Sequence, residues 1–246
     1  MRFLIWLGLF ASIVAATVWY ATRDECGRSG ALSCPDVALE EGVGTTLDAH
    51  EECPGSGYLC AESRRFQVAR WPLDKGRLKV RITLPDFVNK IAAEKIRRVA
   101  IEGIREWDGH PFPITIDTSE ISLRSGDIGV LWTQGLFNSA IGLERADWKE
   151  DGKRIDYSVN AITIVIPPEM ATENLMPGDL DGDFLSQMKA VTAHEMGHAL
   201  GLRHSDSPYD IMYPTLNPNP ALRTVSNRDI LTVDTLYTLP NGAQIE

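Results

Sequence analysis

The chain has 246 residues, of which 43% are hydrophobic, 8% aromatic and 24% charged. That is a globular composition and excludes a wholly disordered or fibrous polypeptide. Asp and Glu total 34 against 24 Lys and Arg, a formal net charge of -10; nucleic-acid binders carry a basic footprint, so no nucleic-acid partner is expected.

Residues 3–22 carry no charge and follow the cationic Arg2. A positive start before an apolar run predicts an export segment. The run just reaches the roughly 20 residues of a membrane span. Residues 1–22 therefore read as a signal peptide or an uncleaved signal anchor, and Val14 with Ala16 would permit a cut after Ala16. Both readings place the rest of the chain outside the cytoplasm, as a secreted, extracellular or periplasmic protein, or as a membrane-anchored one. Residues 23–66 hold all four cysteines, Cys26, Cys34, Cys53 and Cys60. An even count in an exported chain predicts disulfides, with three pairings open. A zinc site using His50 is the rival reading, but structural zinc cysteines come in pairs about two to four residues apart, and these do not. The glycines, prolines and acidic residues around them describe a loop-rich, stapled segment that could serve as a pro-segment.

Beyond it, Leu78, Val80, Ile82 and Leu84 alternate with polar residues, the period of a strand. Pro85 stops that strand and Asp86 is placed to cap a helix. Val88, Ile91, Ile96, Val99, Ala100, Gly103 and Trp107 form the apolar face of that helix. Further strands are predicted over 112–117, 128–133 and 161–166, with a weaker one over 140–144. This order argues for an α+β fold with helices packed on a mixed sheet. Asp179, Asp181 and Asp183 then crowd a glycine turn. They read either as oxygen ligands for Ca²⁺ or as a solvated loop in which Asp183 caps the next helix. Residues 184–202 are apolar almost all round, so this helix is expected to be buried. It nevertheless contains two histidines and a glutamate, which need partners.

His194 and His198 are four residues apart, so both rings leave one face of a helix and can hold one ion. Glu195 sits beside that face, within reach of an activated water but not in a ligand's place. Gly201 can take the positive φ that ends a helix and turns the chain back, bringing His204 round as a third nitrogen. Three histidines with an open fourth position describe a catalytic zinc site. His50 and His110 fit ordinary hydrogen-bonded core histidines and are left unassigned.

The string H-E-M-G-H-A-L-G-L-R-H followed by Met212 in D-I-M-Y-P is the metzincin signature with its methionine turn. Ser205 and the Met212-Tyr213-Pro214 string make the chain resemble the matrixin branch. Pro214 stands where astacins and serralysins carry an additional zinc-binding tyrosine. The segment S-N-R-D-I-L-T-V-D-T-L-Y is similar to the last matrixin helix. Asp229 matches the second of the family's paired aspartates, which braces the methionine turn, and with Ser226 it also forms a capping-box pattern. The first of the pair is Arg228 here, so the family's link from that aspartate to a freed N-terminal ammonium is not expected.

The motif resemblance runs from about residue 184 to 237, and by order of elements from about 77. It does not reach the segment before 66, which lacks the P-R-C-G-x-P-D switch. It implies a metzincin catalytic domain over 67–241, with a twisted, mostly parallel five-stranded sheet, two main helices and a C-terminal helix. It also implies a zinc endopeptidase in which His194, His198 and His204 bind Zn²⁺, Glu195 is general base and acid, and Met212 packs beneath. A protein or peptide substrate would lie extended along an edge strand, with Ala140, Ile141, Gly142 and Leu143 as the candidate edge. The stretch after Pro214 would wall the pocket for the residue following the cut. The alternatives are a non-catalytic zinc-binding module on the same scaffold and a zinc hydrolase of non-peptide amides. No feature of the sequence sets an oligomeric state. Thiol titration of denatured, unreduced protein is expected to find no free thiol; a titratable cysteine would return Cys26 or Cys34 to consideration as a blocker of the metal.

Overall fold

Alternation in residues 78–82 produces strand β2 (Leu78–Ile82), whose Leu78, Val80 and Ile82 are fully buried. β2 pairs in parallel with β3 (Ile114–Asp117) on one side and with β4 (Ile128–Thr133) on the other. β4 pairs in parallel with β6 (Arg154–Val165), and β6 pairs antiparallel with β5 (Gly142–Asp151). The order β3-β2-β4-β6-β5 leaves β5 on the edge, so the mostly parallel five-stranded sheet expected from the sequence is the one observed. The computed structural model describes residues 57–59, 66–119, 127–136, 140–152, 154–171 and 178–245. The 1–22 segment, the four cysteines and His50 lie outside them. The described residues all belong to the second of the chain's two units, Gly44–Glu246, and among them no helix is long and apolar enough to cross a membrane.

Parallel neighbours require a crossover between them. Helix α1 (Lys90–Arg105) supplies the one from β2 to β3. Its cap is Asn89, whose side chain accepts from the Ile91 N–H at 2.9 Å, rather than Asp86. Ala92, Ala93, Ile96, Ala100, Gly103 and Ile104 form the buried face. At about 100° per residue, Ile91 falls on the opposite side, and it is 64% exposed instead of joining the core. The small residues of this face let α1 approach α2 (Gly182–Ala199), which also lies against β5 and β6. Neighbours on several sides explain why α2 is apolar almost all round.

The β5–β6 hairpin is much longer than the expected strands over 140–144 and 161–166. Its distal half carries Arg145, Asp147, Lys149 and Glu150 on one strand and Arg154, Asp156 and Ser158 on the other. Trp148 and Val159 there are 45% and 46% exposed. On β6, Ile155, Tyr157 and Val159 do alternate with Asp156 and Ser158, a period-two pattern that the expected strand over 161–166 left out, whereas the outer half of β5 is mostly charged and carries no such pattern. A register shift at Asp147/Trp148 further breaks the period. The two-residue strands β1 (Phe66–Gln67) and β7 (Gln244–Ile245) pair antiparallel and are too short to leave a pattern.

Two tryptophans pin α2 from outside. Trp107 Nε1 donates to the Ala193 carbonyl and Trp71 Nε1 to the Ala199 carbonyl, each at 2.8 Å. Tyr237, just beyond helix α3 (Asn227–Leu236), accepts from the Trp71 N–H at 3.3 Å and donates to the Leu200 carbonyl at 3.0 Å. All three side chains are buried. Tyr237→Phe removes the acceptor of a buried N–H and the donor to a buried carbonyl. It is expected to cost about 1–3 kcal/mol, read as a fall in the thermal midpoint of roughly 2–4 °C per kcal/mol.

Candidate metal centre

Helix α2 ends in a Schellman arrangement. Gly201 has φ of +102°, its N–H donates to the His198 carbonyl at 2.8 Å, and the Leu202 N–H reaches back to the Gly197 carbonyl at 3.0 Å. A side chain at 201 would also press on the Ala69 carbonyl, 2.7 Å from an ideal Cβ. The turn brings His204 against the two helical histidines. His198 Nε2 lies 3.1 Å from His194 Nε2 and 3.2 Å from His204 Nε2, and the potential ligand atoms of all three lie within 4.8 Å of one another.

The other ring nitrogens fix the chemistry. His194 Nδ1 is 2.7 Å from the Ile211 carbonyl and His198 Nδ1 is 2.8 Å from the Leu202 carbonyl. A carbonyl only accepts, so each Nδ1 carries the proton and each Nε2 of a neutral ring presents a lone pair. Burial holds the His194 pKa below the ordinary value. It holds His198 well below, with further lowering from His194 and His204. Converging imidazole nitrogens, two of them on neutral rings oriented by a backbone carbonyl, are the donor set of a transition-metal ion. Among the described residues, this is the one group of three or more His, Cys, Asp or Glu side chains placed to hold a metal.

Comparison with known proteins decides the family. The matrixin family profile matches residues 71–238. The chain is a matrixin. It is similar to macrophage metalloelastase of Rattus norvegicus, at 49% identity over 53 residues, covering 20% of this chain and 11% of that protein. Metalloendoproteinase 4-MMP of Arabidopsis thaliana is 28% identical over 183 residues, covering 70% of this chain and 49% of that one. Matrix metalloproteinase-B of Caenorhabditis elegans is 23% identical over 178 residues, covering 62% and 33%. The chain thus spans about half or less of the length of these relatives. Zinc is the metal that the matrixin family implies.

The remaining residues of this matrixin site fall into two groups around the histidines. Glu195 is buried beneath the start of β5, where a Cβ on Gly142 would overlap its Oε1 and the Val191 side chain. Only glycine lets the strand pass this close. Burial pushes the Glu195 carboxyl up to about 8, and Glu144 pushes the same way. Glu144 was not singled out in the sequence. It shares the inward face of β5 with Gly142, accepts a hydrogen bond from the buried Asn160 Nδ2, and is itself pushed up to about 7 by burial against the pull of Asn160 and Arg203. The available signal was parity: positions 142, 144 and 146 face the same way in a strand.

On the other side, Met212 is fully buried, and a Cβ on Gly197 of α2 would overlap its Sδ. The Ser205 N–H donates to the Met212 carbonyl at 2.8 Å, closing the loop between them. Asp229 Oδ2 accepts from the Ile211 N–H at 2.9 Å and the Ser226 N–H at 2.8 Å. One carboxylate thereby braces the methionine turn and completes the capping box. Asp210, also missed, accepts from Ser226 Oγ at 2.7 Å, from Ser205 Oγ, and from Arg228 Nη1 at 2.7 Å. Pro214 is exposed.

Three sequence expectations change. Asp181 caps α2, accepting from the Phe184 N–H at 2.7 Å, in place of Asp183. Asp183 instead pairs with Arg223 at 2.6 Å, and with Asp179 and Asp181 it is not among the metal-ligating groups of the described residues. His110 is half-exposed beside Asp234, 3.1 Å away, and is not a core histidine. Purified protein is expected to hold one zinc ion per chain by mass spectrometry, and His198→Ala to lose it, since His198 Nε2 lies close to both other donor nitrogens.

Proposed function

We propose that this matrixin is a zinc-dependent endopeptidase working outside the cytoplasm. The observation that supports this best is the convergence of three histidine Nε2 atoms beside a buried glutamate, at the point where the edge strand of the sheet passes over that glutamate. His194, His198 and His204 would hold the ion. Zinc, when bound, lowers the pKa of its water to about 7 and polarises the scissile carbonyl.

The chain's own groups do the rest. The Ile211 and Leu202 carbonyls keep the His194 and His198 rings in one tautomer and orientation. A Glu195 carboxylate oxygen takes the proton of the attacking water and returns it to the leaving amine. Its burial raises proton affinity toward neutral pH, where a group that must both accept and release a proton works best. β5 pairs with β6 on one side only. Its outer edge can therefore accept an extended peptide by strand addition, with Ala140, Ile141, Gly142 and Leu143 aligning the substrate backbone past Glu195. The wall after Pro214 is held by Asn217, whose Nδ2 donates to the Pro208 carbonyl at 2.6 Å and whose carbonyl accepts from Arg223 Nε at 2.8 Å. That rigid wall suits a pocket for the residue after the cut. The extracytoplasmic setting rests on the uncharged run over residues 3–22.

Glu195→Ala removes the proton carrier without removing a ligand. Casein or peptide cleavage is expected to fall by about 10²–10⁴-fold or more, while zinc content by mass spectrometry stays at the wild-type level. Near-full activity in this variant would overturn the mechanism, and loss of zinc would show that Glu195 is itself a ligand.

A further inference from the structure

Residues 57–59 precede β1, yet they are built onto helix α3. Tyr58 is 2% exposed and Leu59 6%. The Tyr58 N–H donates to Thr232 Oγ1 at 3.2 Å, and Thr232 Oγ1 donates on to the Arg228 carbonyl at 2.6 Å. The Arg228 guanidinium lies 5.2 Å from the centre of the Tyr58 ring, and its Nη2 reaches the Gly57 carbonyl at 3.5 Å. Gly57 has φ of +68°, and a Cβ there would overlap Thr232 Oγ1. Backbone, ring and glycine all fit one seat on α3.

The phenol is what makes this seat consequential. Tyr58 OH donates to Asp229 Oδ1 at 2.9 Å. Asp229 is fully buried, and its other oxygen accepts from the Ile211 N–H at 2.9 Å. The carbonyl of the same residue, Ile211, accepts from His194 Nδ1 at 2.7 Å. Hydrogen bonds on the two sides of the Ile211 backbone, joined by that residue's own covalent chain, therefore link Tyr58 and Asp229 to His194. Asp229 can hold the methionine turn in one place only if its own two oxygens are both fixed. Ser226 and Ile211 fix Oδ2, and Tyr58 fixes Oδ1.

We propose that Tyr58 is a positioning residue of the metal centre, acting through Asp229 and Ile211 on the His194 imidazole, and that residues 57–59 belong to the working enzyme. This deepens the reading of His194 as a zinc ligand and rests on it. Processing before residue 57 would leave the line intact; processing after Leu59 would cut it and loosen the site.

The test uses the full chain with Tyr58→Phe, Asp229→Asn and the double variant. Zinc affinity is measured by competition with a chromogenic chelator, well below each variant's own melting midpoint, beside thermal melts of the metal-stripped proteins. Tyr58→Phe keeps the ring in its seat and removes only the donor. Its metal-free midpoint is expected to move little, while zinc binding weakens by about tenfold, the low end of the range for groups supporting a ligand. Peptide cleavage should lose kcat with KM nearly unchanged. In the Asp229→Asn background the same change should add no further loss of affinity, because the line is already broken. Wild-type zinc affinity in Tyr58→Phe would overturn the proposal, as would full additivity in the double variant. A purely structural role would lower the metal-free midpoint and leave zinc affinity unchanged. A wild-type protein that takes up no zinc would instead overturn the assignment of His194 as a ligand.

Discussion

Three imidazole lone pairs face one another at the end of a helix that is otherwise apolar, with Nε2 atoms 3.1 and 3.2 Å apart. Neutral nitrogens placed this way repel unless a cation lies between them, and two of the rings cannot turn away because their Nδ1–H groups are committed to the Ile211 and Leu202 carbonyls. Everything near them serves that constraint. The Schellman end of α2 returns the chain at Gly201, the loop to Met212 closes on Ser205, and Asp229 holds the N–H of Ile211, the residue whose carbonyl orients His194. Burying polar groups is tolerable only when each has a partner, and here each orienting group is itself held by another.

The sheet sets how this centre meets solvent. α2 lies against β6 and β5, and the strand order leaves β5 as the edge next to β6, running over α2. The small residues of α1 and the glycine at 142 share one purpose, close approach: the first brings helix to helix, the second brings strand to glutamate. A larger residue at 142 would overlap Glu195 directly, so the distance between the edge backbone and the carboxylate is set by a missing side chain.

The metal-site residues were legible because their relation is local. His194, Glu195 and His198 fall within one turn of a helix, and Gly201 with His204 lies within the next few residues, so spacing alone places them together. Asp229 was legible through its fit to a known pattern, and β2 and β4 through their buried alternation. The β5–β6 hairpin was read too short because the outer half of β5 is mostly charged and a register shift at Asp147/Trp148 separates the Ile155-Tyr157-Val159 alternation of β6 from the buried one that follows it. Asn89 in place of Asp86, and Asp181 in place of Asp183, are shifts of two or three residues at helix starts. Several polar residues there could cap, and only the backbone path selects one. Glu144 could have been found from its parity with Gly142, but Asp210 and Tyr58 were invisible for a stronger reason. Asp210 joins Ser205 to Ser226 and Arg228, 16 and 18 residues on, Tyr58 and Asp229 are 171 residues apart, and no local pattern records such contacts.

Charge balance explains why a phenol serves at Asp229. The matrixin pattern places two adjacent aspartates at the start of the last helix, and such a pair calls for an added cation. Here the first is Arg228. A cation at a helix N-terminus opposes the helix dipole, so it needs carboxylates of its own. It finds them in Asp206 and Asp210, each 2.7 Å away. Asp229 is then a single buried carboxylate at a favourable helix end, and neutral donors from Ser226, Ile211 and Tyr58 are enough to hold it. With the positive charge carried by α3 itself, the incoming segment need bring only a hydroxyl and an aromatic face, and the Tyr58 ring lies against the same guanidinium that balances the aspartates.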